Sequence, residues 1–208
     1  MNKQKSFNYQ FNDKFNELNF YVNETNFYAF NSLINNDNQL SFLNGPKKSG
    51  KSFLGQIWLK KNDGIMFNDN FEYLLSTKKN ILIDDLFLSN EEIIFHIVNN
   101  CILNNTKLLI TSTLKINEIN FKFNDLSSRL KIFSNLEIEQ PNDEMLLTIL
   151  TKLLIDKQFI INSNDIFEFI LRRVDRSYQG IHNIVNKLDL LSLEKKRQLT
   201  IPLIKEIL

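Results

Sequence analysis

The chain has 208 residues, 43% of them hydrophobic, a formal net charge of +1 and a single cysteine. This length and composition suit one sizeable globular core, alone or with a small appendage, and exclude a disordered chain. The near-zero charge argues against binding of nucleic acid or membrane by charge alone, and the lone cysteine and lack of a membrane-length apolar run predict a cytoplasmic protein.

In chain order, helical and strand patterns alternate over the first 140 residues. Residues 1–19 are polar with scattered aromatic side chains and no periodicity, so we expect an N-terminal arm. A helix is predicted from about Asn26, and another from the loop after residue 44 to about Lys61. Short apolar runs predict strands at residues 40–44, 64–67, 81–85, 107–111 and 136–138. This alternation predicts an α/β domain over residues 20–140, with a five-stranded, mostly parallel sheet covered on both faces.

The pattern changes after Pro141, where strand candidates cease. Helical spacing predicts helices at residues 143–157, 165–174, 178–196 and 202–208. We therefore expect a second, small all-helical domain over residues 142–208.

The loop between the first predicted strand and the next helix fits the pattern G-x-x-x-x-G-K-[ST]. Its residues are Gly45, Pro46, Lys47, Lys48, Ser49, Gly50, Lys51 and Ser52. In such a P-loop the glycines let backbone N–H groups approach phosphates, Lys51 places a charge between the β- and γ-phosphates, and the Ser52 hydroxyl ligates Mg²⁺. The sequence therefore predicts a site for ATP or ADP with Mg²⁺.

Polar residues follow the predicted strands at the same edge of the sheet. Asp84 suits a Mg²⁺ ligand, and Asp85 suits a group that orients or deprotonates an attacking water, although an aspartate pair can also simply cap a turn. Thr111 and Ser112 end the fourth strand, where a hydroxyl can contact the γ-phosphate or that water. Arg129 is a candidate for an arginine supplied in trans to a neighbouring subunit's nucleotide, or else a solvated surface residue.

Together these features resemble the AAA+ domain of the bacterial replication initiator DnaA and its relatives. The residues that carry the resemblance are the P-loop, the strand ends at 83–85 and 109–112, the segment 125–130 and the predicted three-helix lid. The ending at residues 197–208, and Arg176-Ser177 followed by residues 187–189, resemble Hda, the family of DnaA-homologous regulatory inactivators.

The resemblance implies an AAA+ fold with a helical lid, and DnaA as the partner. Arg129 would then promote ATP hydrolysis in DnaA, which would negatively regulate the initiation of DNA replication. The chain ends after the predicted lid, whereas DnaA continues into a DNA-reading domain. In the family, the segment before the first helix contacts adenine, which makes Val22 the candidate for that contact.

The N-terminal arm contains Gln4, Phe7 and Tyr9, which resemble the short peptide by which Hda docks on the sliding clamp of DNA polymerase III. This sequence departs from the usual form, with Phe and Tyr in place of Leu. The resemblance implies a clamp partner and contact with DNA only through the clamp.

Lids of the DnaA type carry an arginine that reaches the nucleotide phosphates. When this sequence is aligned with the family on Arg176-Ser177, Gly180 stands at that position. Arg172, Arg173 and Arg176 are the nearby alternatives. Without that guanidinium we expect weak hydrolysis and tolerance of ADP. His96 and His182 have no predicted role. The competing interpretations are an ATPase of the helicase-loader class and a nucleotide-dependent interaction module that never hydrolyses, and a homo-oligomer is open to all three.

Overall fold

The computed structural model describes residues 17–67, 71–76, 78–88, 90–161 and 163–207. The three residues of the predicted clamp peptide, Gln4, Phe7 and Tyr9, lie outside the described residues. Among the described helices, none combines the length and the apolar character needed to cross a membrane.

A five-stranded parallel sheet forms the centre of the N-terminal part, which confirms the predicted sheet. Its strands are β1 (Leu40–Asn44), β2 (Ile65–Met66), β3 (Ile81–Ile83), β4 (Leu108–Ser112) and β5 (Ser134–Glu137). Their order across the sheet is β2-β3-β4-β1-β5. Asn44 pairs with Ser112, so the loop that follows β1 begins beside the end of β4.

Helices cover both faces of this sheet because side chains on a strand alternate between its faces. The helices are α1 (Phe27–Asn35), α2 (Lys51–Lys61), α3 (Phe71–Ser76), α4 (Glu91–Asn104) and α5 (Asn124–Leu130). Within β1, Leu43 packs with residues of α1 and α2, whereas Phe42 faces the other cluster with residues of α4 and α5. The sheet is thus the middle of three layers.

The C-terminal part is helical and packs around its own apolar cluster. It consists of α6 (Asp143–Asp156), α7 (Asp165–Leu171), α8 (Tyr178–Lys195) and α9 (Ile201–Lys205). Polar side chains start three of these helices, since Asn142, Ser177 and Thr200 each accept a hydrogen bond from a backbone N–H in the first turn. Met145 of α6 belongs to the cluster beside the sheet, so it connects the two parts.

Some boundaries differ from the sequence prediction. The third strand ends at Ile83, so Asp84 and Asp85 lie in the turn after it. The fifth strand, Ser134–Glu137, begins two residues and ends one residue earlier than predicted, because its apolar content is low and only Leu136 is fully buried. The sequence did not predict α3.

Candidate nucleotide-binding site

Backbone geometry shapes the P-loop between β1 and α2. Gly50 has a φ of 96°, which favours glycine, and Lys48 also lies in the left-handed region with a φ of 65°. A side chain at Gly45 would place its Cβ 2.8 Å from the backbone oxygen of Ile138, so only glycine fits there. The Gly45 N–H donates to the Ser112 carbonyl (3.2 Å), which fixes the loop to the end of β4.

The Lys51 side chain folds back over its own loop. Its Nζ donates to the carbonyl oxygens of Gly45 and Pro46, each at 2.7 Å. Burial lowers the pKa of Lys51, and the nearby carboxylates of Asp84 and Asp85 oppose that shift. The Nζ of Lys51 therefore lies against the P-loop backbone, where a phosphate oxygen would be a stronger hydrogen-bond acceptor than the two carbonyls.

Thr111 links the two aspartates that follow β3. Its hydroxyl donates to Asp84 Oδ1 (2.8 Å) and accepts from the Asp85 N–H (2.8 Å). Asp85 has a φ of 72°, and its Oδ1 accepts from the Phe87 N–H (3.2 Å), which caps the short 3-10 turn at Leu86–Leu88. Asp84 is thus held at the sheet edge, while the Asp85 carboxylate supports the turn. Ser112 is buried and accepts from the Leu114 N–H (3.0 Å).

A cavity of about 410 Å³ lies between the P-loop and the C-terminal helices. Its wall is formed by residues 48–52 of the P-loop, residues 19–21 of the segment before α1, and side chains of α2, α6 and α8. The wall is completed by Asn26, by Phe53 of α2, by Met145, Ile149, Lys152 and Leu153 of α6, and by Tyr178 and His182 of α8. The cavity thus has the P-loop on one side and largely apolar side chains on the other. A nucleotide would need both, a polar side for its phosphates and an apolar side for its base.

The segment Asn19–Thr25, called here the linker, contacts both sides of the cavity. The ring of Phe20 lies 5.6 Å from that of Phe30 and 5.8 Å from that of Phe53, and it packs against Gly50. On the lid side, Lys152 Nζ donates to the Asn19 carbonyl (3.0 Å).

Tyr21 adds a second contact between the linker and the lid, since its hydroxyl donates to Glu144 of α6 (2.7 Å). Phe20 and Tyr21 line the cavity, whereas the sequence candidate for the adenine contact, Val22, is half-buried outside its wall.

Gly180 in the first turn of α8 is tightly enclosed. A Cβ at this position would lie 2.2 Å from the Asp175 carbonyl oxygen, so no larger residue fits without a backbone shift. The three arginines near it have other contacts: Arg176 pairs with Asp143, Arg172 pairs with Glu168, and Arg173 lies over the ring of Phe169. None of these three arginines lines the cavity.

Comparison with known proteins agrees with this architecture. A family model described as the Hda lid domain matches residues 143–208. The chain is similar to domain III of the replication initiation protein DnaA from Thermotoga maritima, with a TM-score of 0.78 and 19% identity over 95% of this chain and 96% of that one. Residues 143–208 are thus similar to the Hda lid domain, and the chain has the fold of DnaA domain III.

Two further solved structures share the fold. AMPPCP-bound DnaA from Aquifex aeolicus matches with a TM-score of 0.68 and 19% identity, over 88% of this chain and 67% of that one. The RuvB Holliday junction branch migration motor of Thermotoga maritima matches with a TM-score of 0.61 and 15% identity, over 81% and 60%. These likenesses confirm the predicted AAA+ fold with a C-terminal helical lid.

Arg129 lies on α5 and is not among the residues that line the cavity. The side chains of Leu126 and Leu130 are fully buried and anchor that helix, and the Glu91 carboxylate accepts from the Phe123 N–H (2.8 Å) at its start. Arg129 itself is exposed and forms no ion pair or side-chain hydrogen bond within the described part of the chain. Buried leucines thus anchor α5, while the Arg129 guanidinium is exposed to solvent.

The structure brings some predicted residues into one wall and leaves others outside it. Lys48 to Ser52 line the cavity, whereas Gly45, Pro46 and Lys47 shape the loop behind it. Asp84, Asp85, Thr111 and Ser112 lie at the neighbouring sheet edge without lining it.

Sequence reasoning gave no role to His182, which lines the cavity. Burial lowers its pKa, and the charge of Lys48 lowers it further. The helical spacing of four between Tyr178 and His182 was the available signal, because it puts both on one face of α8.

Proposed function

We propose that the chain binds ADP or ATP with Mg²⁺ in the cavity beside the P-loop. The buried hydroxyl of Ser49 supports this, since within the described residues it has no hydrogen-bond partner and a phosphate oxygen would supply one. The backbone N–H groups of the loop and Lys51 would hold the phosphates. Ser52 at the start of α2 and Asp84 after β3 offer the oxygen ligands that Mg²⁺ prefers.

Bound Mg²⁺ would neutralise charge on the phosphates. Thr111 would keep Asp84 in place, and Ser112 would fix the P-loop to β4. Asp85, whose carboxylate already accepts a hydrogen bond in its turn, would orient a water only weakly, which favours slow hydrolysis by this chain. AMPPCP in the DnaA relative occupies a protein of the same fold, which supports nucleotide binding here.

The proposed role is regulation of a DnaA-type initiator. The match of residues 143–208 to the Hda lid supports a DnaA-related regulator, and the exposed Arg129 on the anchored α5 carries the mechanism. In this mechanism, the nucleotide holds the domain in its docking shape, and Arg129 reaches the ATP of the partner. Its guanidinium would stabilise the charge that develops as the partner hydrolyses ATP, an effect worth roughly 10³-fold or more in GTPases that use such an arginine.

The proposal extends to the N-terminal arm. Gln4 would bind a polar pocket of the sliding clamp, and Phe7 and Tyr9 an apolar one. The clamp would then bring the chain to DNA, which agrees with a net charge of only +1.

The test combines ATP-loaded DnaA, clamp loaded on DNA and the full chain, and measures phosphate release. We expect strong stimulation by the wild type and its loss in Arg129→Ala. Arg129→Lys should also fail, because lysine lacks the planar fork of the guanidinium. Arg172→Ala is the matched control, since it removes another exposed arginine and should stimulate like the wild type.

Two results would contradict the mechanism: no stimulation by the wild type, or full stimulation by Arg129→Ala. Rapid hydrolysis by the chain alone would instead favour the helicase-loader class. Deletion of residues 1–10 tests the clamp contact separately, because it should abolish clamp binding and leave ADP binding unchanged.

A further inference from the structure

The lid side of the cavity that the P-loop lines contains a histidine. His182 lies one turn after Tyr178 on α8, and both line the cavity. His182 is half-buried and lines the same cavity as Lys48 of the P-loop, whose charge contributes to lowering the pKa of the ring. The imidazole therefore lies across the cavity from the loop that would bind phosphates.

Other cationic groups on the lid side are already engaged. Gly180 excludes an arginine by its contact with the Asp175 carbonyl. Lys152 of α6 lines the cavity, but its Nζ donates to the Asn19 carbonyl and lies 5.8 Å from the ring centre of Phe53. Within the described part of α8, His182 is the one cavity-lining side chain able to carry a positive charge.

We propose that His182 contacts the phosphates of the bound nucleotide from the lid, so that the phosphates lie between its ring and Lys48 in the cavity that both side chains line. The inference rests on the proposed nucleotide site and adds a lid contact to it. In place of an arginine that is always charged, the lid would thus use a group whose charge depends on pH.

The charge of His182 would then change on binding. In the free protein, burial and Lys48 lower its pKa, so the ring is mostly neutral near pH 7. Phosphate oxygens at hydrogen-bonding distance favour the charged imidazolium and raise that pKa again. Binding would therefore take up a proton, and the affinity for ADP would increase as pH falls through the pKa of the bound state.

Other titratable groups lie at the same cavity, and their titration must be distinguished from that of His182. The hydroxyls of Tyr21 and Tyr178 both have raised pKa values, so they stay neutral below pH 8. Burial lowers the pKa of Lys51, so its titration is checked separately with Lys51→Ala. The remaining charged groups nearby are Lys48, Lys152, Asp84, Asp85 and Glu144.

The experiment is calorimetric titration of ADP with Mg²⁺ into the full chain at about pH 6.5, in two buffers of different ionisation heat. This gives both affinity and the number of protons taken up. The variants are His182→Gln and, as matched control, His96→Gln on the exposed face of α4. We expect His182→Gln to bind ADP about ten- to hundred-fold more weakly, the loss of one charge-assisted hydrogen bond.

Proton uptake separates contact with phosphate from a structural role. The wild type and His96→Gln should take up protons equally, and His182→Gln should take up fewer. Titration of the ADP phosphate itself is common to all three and cancels in the difference. Weaker binding with unchanged uptake would overturn the inference and leave the nucleotide site intact. Absence of ADP binding by the wild type would instead overturn the proposed site, and the inference with it.

A second measurement needs no variant of His182. The chain has two histidines, so the ring NMR signals can be assigned with His96→Gln alone. ADP should raise the pKa of His182 in the wild type and leave the signals of the His96 ring unmoved. A His182 pKa that does not respond to ADP would contradict the proposed contact.

Discussion

Gly180 offers a sharp test of the lid geometry, because replacing it with alanine should destabilise a helix that alanine normally favours. In an exposed helix interior, Gly to Ala gains about 1 kcal/mol. Here the added Cβ would approach the Asp175 oxygen to 2.2 Å, inside the 3.0 Å that real Cβ atoms respect. The carbonyl must retreat by about 0.8 Å, and such overpacking costs roughly 1–3 kcal/mol.

The retreat would also weaken a local hydrogen bond. The Ser177 N–H donates to the same Asp175 oxygen at 2.8 Å, and a bond of this kind contributes about 1 kcal/mol. After the helix gain is subtracted, we expect Gly180→Ala to lower the free energy of unfolding by about 1–3 kcal/mol. Gly180→Arg should cost at least as much, because it begins with the same Cβ.

The assay is urea unfolding followed by circular dichroism, with free energies compared from the midpoints at equal slope. Asn186→Ala is the control, since it puts alanine at an exposed position of the same helix and should be neutral or slightly stabilising. Gly180→Ala as stable as the wild type, with Asn186→Ala behaving as expected, would refute the steric argument. The lid would then accept a side chain that the structure excludes.

Three further predictions concern the site and the core. Lys51→Ala should abolish ADP binding in a filter or calorimetric assay while urea unfolding changes little, since its Nζ donates hydrogen bonds to two loop carbonyls; retained binding would contradict its role. Thr111→Val should cost about 1–3 kcal/mol in urea unfolding, because the Asp85 N–H loses its partner, and Thr111→Ser should restore most of this. Cys101 is buried and its pKa is raised by burial, so a thiol reagent should label it only at the rate of unfolding; rapid labelling of the native protein would show that α4 is loosely packed.

The sequence predicted the elements that local patterns specify. The P-loop, the parallel sheet and the lid helices follow from motif and periodicity, and each starts or ends within a few residues of its prediction. The turn after β3 did not follow, because the positive φ of Asp85 depends on a tertiary hydrogen bond to Thr111.

The cavity wall was harder to predict than the loop. Val22 was the expected adenine contact, yet Phe20 and Tyr21 line the wall, since a linker without periodicity gives no sign of which side chain turns inward. His182 was missed because its position depends on how α8 packs over the P-loop, which sequence spacing does not contain.

The linker has a thermodynamic consequence for what happens ahead of it in the chain. Phe20 packs against Gly50 and Phe53 on one wall, while Asn19 and Tyr21 are bonded to the other. A partner that pulls on the residues before Asn19 therefore acts on both walls at once. Because coupling between two binding events is reciprocal, whatever factor such a partner imposes on nucleotide affinity, the nucleotide imposes on the affinity of that partner. The affinity of such a partner for this segment would therefore depend on whether the cavity holds a nucleotide.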